Sequence, residues 1–438
     1  MYVWTGHALV DVGIAALVAL AGCETPSALT TTDLTAVAGR LAAWYTQPGS
    51  TRNFAKGSVF HNAGYGMANP ALQRKHVARV LNSWQRESAI DARCAFCGRP
   101  AAFFASRQDI PLLNGEAIYN FSARGVAGLP VCGLCSLAIQ ALPFGCVRSG
   151  GMLIACHSDD PTLTQALART AVQRAERALT LGNELPVFAC ERTRFVELLI
   201  DWLALLERQQ SAQGSEVALT GYVFTNAGAS AAIRIYTLES SVIGFAEAAQ
   251  HNADATLTQA WQGAMFRAWG RARAKHVASE TMQRPNHLYE ALLDLPAGAR
   301  GFLYRFLFPT RHWGLVALFL RKVMKMDPTQ IELLRSLGER FAAYVRERKR
   351  FFYPFARTAE YALWRRHVLN AADDCKRRSG HSLISFDEFI AAFTAPPGEI
   401  NDWRLARDLI VLVILDAGIQ ADETLFEDEP EIIEEVKS

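Results

Sequence analysis

No lysine or arginine stands before Arg40, charged residues fill only 20% of the 438 positions, and cysteine occurs just nine times. Each shortage excludes something. A secretory leader needs a positively charged start before its apolar run, and none is present here. No apolar stretch reaches the ~20 residues that cross a bilayer, so no transmembrane helix and no membrane partner are expected. Nine cysteines are too few for a disulfide scaffold of this length, and the odd number leaves at least one unpaired. The expected compartment is a reducing cytoplasm.

Catalytic signatures are missing as well. There is no Gly-Lys-Ser/Thr phosphate loop, and Gly64-Tyr65-Gly66 lacks the third glycine and preceding strand of a dinucleotide fingerprint. None of the ten histidines is followed by aspartate, and neither a Gly-x-Ser-x-Gly elbow nor a His-Glu-x-x-His pair occurs. Nothing in the sequence supports catalysis, and the chain is expected not to be an enzyme.

What is present is a half-apolar chain long enough for two or three domains. Its net charge of +2 conceals an uneven distribution. Residues 422–438 carry eight carboxylates and one lysine, a local −7, which leaves residues 1–421 at +9. The body is therefore basic, and 422–438 reads as an acidic disordered tail. The apolar run 12–22, ending in Leu20-Ala21-Gly22-Cys23, has the outline of a bacterial lipoprotein signal without its charged half. Asp11 stands at its head, so a buried amphipathic helix is the better account.

Apolar spacing and caps predict helices at 8–22, 32–46, 70–88, 161–182 and 187–210, with Asn69-Pro70 and Asp160-Pro161 as two of the openings. A polar, glycine-rich loop fills 46–69. Segments 217–225 and 231–238 are β-rich around Asn226-Ala227-Gly228 and predict a hairpin. From 241 onward the pattern is helical, with segments near 256–281, 286–294, 310–325, 328–352, 355–378 and 402–417. The expected class is α+β. A mixed N-terminal domain over 1–300 carries an inserted zinc-ribbon-like module at about 90–157, and an all-α bundle follows over 301–421.

The sharpest motif is Cys94-Ala95-Phe96-Cys97-Gly98 together with Cys132-Gly133-Leu134-Cys135. A two-residue spacer lets a tight knuckle aim both sulfurs at one ion, and two knuckles supply four thiolates for a closed structural zinc site. The 34 residues between the pairs exceed the usual spacing, so the ribbon would carry an insertion. A thioredoxin motif would need one pair in a βαβ unit, and a haem site would need histidine where Gly98 and Ser136 stand. Cys146, Cys156 and His157 follow closely enough to replace a ligand.

Two further patterns suit nucleic acid. Lys75, Arg79, Asn82 and Arg86 fall on one stripe of the helix after Pro70, and the loop before it supplies Arg52, Asn53, Lys56, His61, Asn62 and Tyr65. Arginine, lysine and asparagine on pliable backbone can read phosphates and base edges, although an ordinary solvated face has the same composition. In the helical half, Arg346, Lys349, Arg350 and Tyr353 share a predicted helix face. Arg357, Tyr361 and Arg365 continue at intervals of four, and Lys376-Arg377-Arg378 follows. Aromatics among cations suit a single strand or an RNA–DNA duplex, and a solvated charge run is the plain alternative.

With these residues in hand, Trp4-Thr5-Gly6-His7, Val10-Asp11-x-Gly13, Phe60-x-Asn62 and the two Cys-x-x-Cys pairs resemble the CXXC–CXXC large subunit of type I CRISPR–Cas surveillance complexes (Cascade), subtype I-B. The detailed match covers roughly residues 1–160, and beyond it only helical character agrees. The resemblance implies a non-catalytic subunit at the 5′-handle end of the crRNA. Such a subunit recognises the protospacer-adjacent motif, helps open target double-stranded DNA and docks a helicase–nuclease or a transposition protein. Implied partners are the crRNA, the displaced strand, and the backbone, 5′-handle and small helical Cascade subunits. It also implies that a small subunit can start inside the gene; Met324 and Met326 would begin segments of 115 and 113 residues. A free-standing zinc-ribbon DNA-binding regulator, or an enzyme with an unrecognised site, are the other readings.

Overall fold

The computed structural model describes residues 2–47, 54, 57–61, 70–87, 90–112, 128–183, 185, 189–208, 217–226, 232–269, 284–394 and 403–419. The architecture is mixed α+β, with small sheets and many helices, and its elements group into two compact units that divide at Ser240/Ser241. The sequence-drawn boundary stood at 300, whereas the change from mixed to helical packing comes sixty residues earlier.

The first unit is built around α1 (Ala8–Ala21), whose residues from Val10 to Val18 are all buried. The apolar run that mimics a leader is thus a core helix. Helix α2 (Thr31–Thr46) opens with a capping box between Thr30 and Asp33. Then come α3 (Pro70–Leu81), a two-stranded ribbon of β1 (Phe103–Ala105) and β2 (Leu129–Val131), and α4 (Gly133–Ala141). A Cβ on Gly13 would lie 2.1 Å from the Ala138 carbonyl oxygen, so α1 and α4 approach as closely as backbones allow only because that position is glycine.

Strands β3 (Val147–Ser149), β4 (Met152–Ser158), β5 (Leu219–Thr225) and β6 (Ala232–Leu238) form one antiparallel sheet in that order. The expected hairpin is its β5–β6 half. Its other half, β3 and β4, falls within the span expected for the cysteine module, about 90–157, but joins the main sheet instead. The reason lies in the run from Leu153 to Cys156, buried on both faces and therefore without the alternation that marks a half-exposed strand. One face packs Leu153, Ala155 and Phe224 against Val12 of α1. The other packs Ile154 and Cys156 against α5 (Pro161–Thr180) and α6 (Glu191–Arg208).

Every described element of the second unit is helical: α7 (Ser240–Gln250), α8 (Ala255–Arg267), α9 (His287–Leu292), α10 (Ala299–Phe302), α11 (Trp313–Lys322), α12 (Pro328–Glu347), α13 (Phe352–Arg357), α14 (Tyr361–Ser379), α15 (Phe386–Phe393) and α16 (Trp403–Asp416). The segments expected as two long helices, 328–352 and 355–378, are three. Arg348 ends α12 with φ −126° and ψ 62°, and Thr358, extended at φ −66° and ψ 119°, ends α13 before α14 begins. Pro354 is tolerated in the first turn of α13, where its missing N–H has no helical partner to lose. No helix among the described residues is long and apolar enough to cross a membrane.

Candidate metal centre and nucleic-acid interface

Each cysteine pair folds as a knuckle for local reasons. In the first, the Gly98 N–H donates to the Cys94 carbonyl at 2.9 Å and the Cys94 N–H to the Arg99 carbonyl at 2.7 Å; Gly98 takes φ +70°, which a side chain would resist. The second begins α4, with Cys132 at the N-cap, where its sulfur accepts from the Cys135 N–H at 3.4 Å. The ribbon joins the knuckles, since the Ala95 N–H donates to the Pro130 carbonyl and the Ala102 N–H to Val131, both at 2.9 Å.

The four sulfurs of Cys94, Cys97, Cys132 and Cys135 lie within 4.8 Å of one another, and Cys97 Sγ stands 3.6 Å from Cys132 Sγ. Four thiolates around a tetrahedral ion at ~2.3 Å would be about 3.8 Å apart, so the cluster has the size of a metal site. Cys94, Cys132 and Cys135 are buried and Cys97 half-buried. Contacts with Cys132 and Cys135 favour the Cys94 thiolate and hold its pKa far below the ordinary thiol range, and that charge opposes ionisation of its neighbours. A contact with Cys135 favours the Cys132 thiolate, yet Cys94 and burial push its pKa up to about 12. Cys135 is raised by Cys132, by Cys94 and by burial. A bound cation would remove that opposition, which is what a metal centre needs. Cys146, Cys156 and His157 are not in the cluster. Cys146 donates to the Leu142 carbonyl at 3.1 Å, Cys156 faces α5 and α6, and His157 faces Asp11 at 3.7 Å.

The N-terminal motif is built onto this centre, which spacing could not reveal. The buried Tyr2 hydroxyl donates to the Leu134 carbonyl inside the second knuckle at 2.7 Å. The His7 ring meets Phe96 of the first knuckle edge-on at 4.9 Å. Asp11, 3% exposed, accepts from the Thr5 N–H (2.7 Å), Thr5 hydroxyl (2.8 Å) and Gly6 N–H (2.9 Å). Burial opposes its ionisation, but the hydrogen bonds from His157, Thr5 and Gly6 prevail and hold the carboxyl below its ordinary range. In this chain Asp11 folds the N-terminal segment back over α1.

All four residues of the stripe after Pro70, Lys75, Arg79, Asn82 and Arg86, are exposed. Arg79 pairs with Asp109 at 3.3 Å, and the Arg86 guanidinium sits 4.9 Å from the Phe103 ring centre. The expected helix to 88 ends at Leu81 and tightens into a 3₁₀ turn, Asn82–Gln85. Ser83 bonds the Ser136 hydroxyl at 2.9 Å, and the Trp84 carbonyl lies against Gly133. These contacts bind the turn to the second knuckle and end the regular stripe. Burial, then the Arg79 charge, lowers the His76 pKa to about 4, so that ring is neutral at pH 7.

Arg52, Asn53, Lys56, Asn62 and Tyr65 lie outside the described residues, as do residues 422–438, and of His61 only the backbone is described. The described parts of the 46–69 loop are anchors. Phe54 stacks on Phe144 at 4.4 Å and Phe60 packs on Tyr45 at 4.4 Å. Asn226 ties this loop to the sheet, donating to the Ser58 carbonyl at 3.0 Å while accepting from the Leu112 N–H at 2.9 Å.

In the second unit Arg346 and Arg350, expected on one helix face with Lys349 and Tyr353, do not share a helix, and Arg357 and Arg365, expected on the next helix, fall on two. Arg346 is in the last turn of α12, Arg350 in the 3₁₀ turn Lys349–Phe351, Arg357 at the end of α13 and Arg365 on α14. Arg357 lies over Tyr353, 5.5 Å from its ring centre. Arg377 and Arg378 are engaged by Asp373 at 2.7 Å and Glu347 at 2.8 Å. The helix breaks at Arg348 and Thr358 divide these cations among three helices and a 3₁₀ turn. Comparison with protein-family models, curated proteins and solved structures returns no match to this chain.

Proposed function

We propose that this chain is the non-catalytic large subunit of a crRNA-guided DNA surveillance complex of the CXXC–CXXC, subtype I-B Cascade kind, acting in the cytoplasm. Zinc held by Cys94, Cys97, Cys132 and Cys135 is its structural ion. A saturated thiolate tetrahedron has no open position for a substrate, so its work is to stabilise a zinc-ribbon-like module. The mixed front carries that module, and the helical half forms a bundle lining the displaced strand or the heteroduplex. Guide pairing reads the target, and the protein reads only a short flanking motif before the duplex opens.

One observation supports this reading above the rest: the N-terminal motif and the cysteine knuckles, two parts of the resemblance, meet. His7 packs on Phe96 of the first knuckle, Asp11 holds Thr5 and Gly6 in the turn that carries it, and the adjoining Tyr2 bonds Leu134 of the second knuckle. Lys75 on the helix after Pro70 and Asn82 in the turn that follows it stay exposed.

The test is reconstitution with RNA-loaded partner subunits, followed by binding to duplexes whose flanking motif is randomised. Binding should require the partners and depend on the motif. Lys75→Ala should weaken all sequences alike and reduce the salt slope by about one, as loss of a phosphate contact does. Tight binding of duplex DNA by the chain alone, unchanged by the partners, would instead make it a free-standing zinc-ribbon regulator.

A further inference from the structure

Three helix ends meet at one corner of the second unit. The Arg346 guanidinium donates to the Ala417 carbonyl at 2.8 Å, joining the last turn of α12 to the end of α16. Arg378 reaches Glu347 at 2.8 Å and Arg348 reaches Asp374 at 3.5 Å, joining α12 to the last turns of α14. Those pairs, with Arg377–Asp373, consume the corner's Glu347, Asp373 and Asp374. Arg346, Lys349, Arg350 and Lys376 remain exposed with no carboxylate partner among the described residues.

The chain leaves α16 at this corner. Asp422 follows Ala417 by five residues, a reach of at most ~17 Å, and 422–438 carries a net −7. Extended, the acidic stretch 422–435 covers up to about 50 Å, ample for a corner three helix ends wide. Opposite charge, proximity and length coincide.

We propose that the acidic segment 420–438 docks on the cationic corner formed by Arg346, Lys349, Arg350 and Lys376 and occupies it in place of a nucleic-acid backbone. The docked segment presents carboxylates where phosphates would lie, so a polyanion must displace it. This competition rests on the nucleic-acid reading of that face; the docking itself does not. A tethered segment acts at an effective concentration of ~1 mM, against ~0.1 mM for weak electrostatic binding, so it should reduce affinity for a non-specific strand about tenfold at low salt.

Two measurements on the full chain decide it. Zero-length carbodiimide coupling in 50 mM salt should join Lys349 or Lys376 to carboxylates within 422–435. The products should vanish in 1 M salt and in the Lys349→Arg, Lys376→Arg double variant. Affinity for a fluorescent thirty-nucleotide oligothymidine should rise about tenfold when the eight carboxylates are changed to amides, with the gain shrinking as salt rises. Couplings only to other lysines, or none, together with equal oligonucleotide affinity would overturn the inference and leave the surveillance-subunit reading standing. Couplings at Lys349 with no oligonucleotide bound by either chain would uphold the docking and remove nucleic acid from this face.

Discussion

Replacing Asp11 tests whether the N-terminal motif is structural. Asp11→Ala removes the acceptor of three hydrogen bonds at 2.7, 2.8 and 2.9 Å. Bonds to a charged group contribute about 1.5–3 kcal/mol each in isolation. Thr5 is half-buried and Gly6 exposed, so water recovers part of that, and the expected net loss is about 3 kcal/mol. For a unit of this size that corresponds to about 6–12 °C in melting temperature. Asp11→Asn, which keeps one oxygen but no charge, should lose roughly half as much. The pH dependence follows from the lowered carboxyl pKa. Its stabilisation is complete above the unfolded value near ~4 and disappears as pH falls through the folded value. The gap between wild type and Asp11→Ala should therefore be constant from pH 5 to 8 and close below about pH 4. Denaturant titrations across that range measure it. A gap under about 0.5 kcal/mol, of the size seen for indifferent surface substitutions, or one that acid leaves untouched, would refute the reasoning.

The metal centre predicts about one zinc per purified chain, and Cys94→Ser should lower metal content and unfold the first unit before it alters any binding step. All four thiols titrating freely in the native protein would contradict it. Gly13→Ala drives a Cβ to 2.1 Å from the Ala138 carbonyl oxygen, and the overpacked α1–α4 contact should cost about 3 kcal/mol in denaturant unfolding, with a loss under 1 kcal/mol counting against it. Met324 and Met326 stand between α11 and α12, immediately before the Asp327 cap, whose carboxylate accepts from the Thr329 N–H at 2.7 Å. Expression of the intact gene with a C-terminal tag should give a second band of about the 115-residue size, lost when both methionine codons change. A single full-length band would refute an internal start.

The helix openings were legible where the signal is local. Asp160-Pro161 caps α5 through an Asp160 side chain accepting from the Thr162 N–H at 2.8 Å, within three consecutive residues. The hairpin at 219–238 and the paired knuckles are equally local, because turn and spacer chemistry act over a few residues. Strand β4 was not, since a run buried on both faces has no period to read.

The fate of each cation was also decided outside the sequence. Lys75, Arg79, Asn82 and Arg86 share one spacing and are all exposed, yet Asp109 and Phe103 engage only Arg79 and Arg86. Arg346 and Arg350 look alike in a helical register that Arg348 interrupts. By itself the sequence determined which residues could cap, turn or ligate, for those preferences arise within a few bonds. Only the tertiary structure decided which thiols meet, which charges are satisfied and which strand completes the sheet. Those outcomes depend mostly on partners well separated along the chain, as Arg79 is from Asp109 and Cys97 from Cys132, brought close by burial of the apolar faces between them.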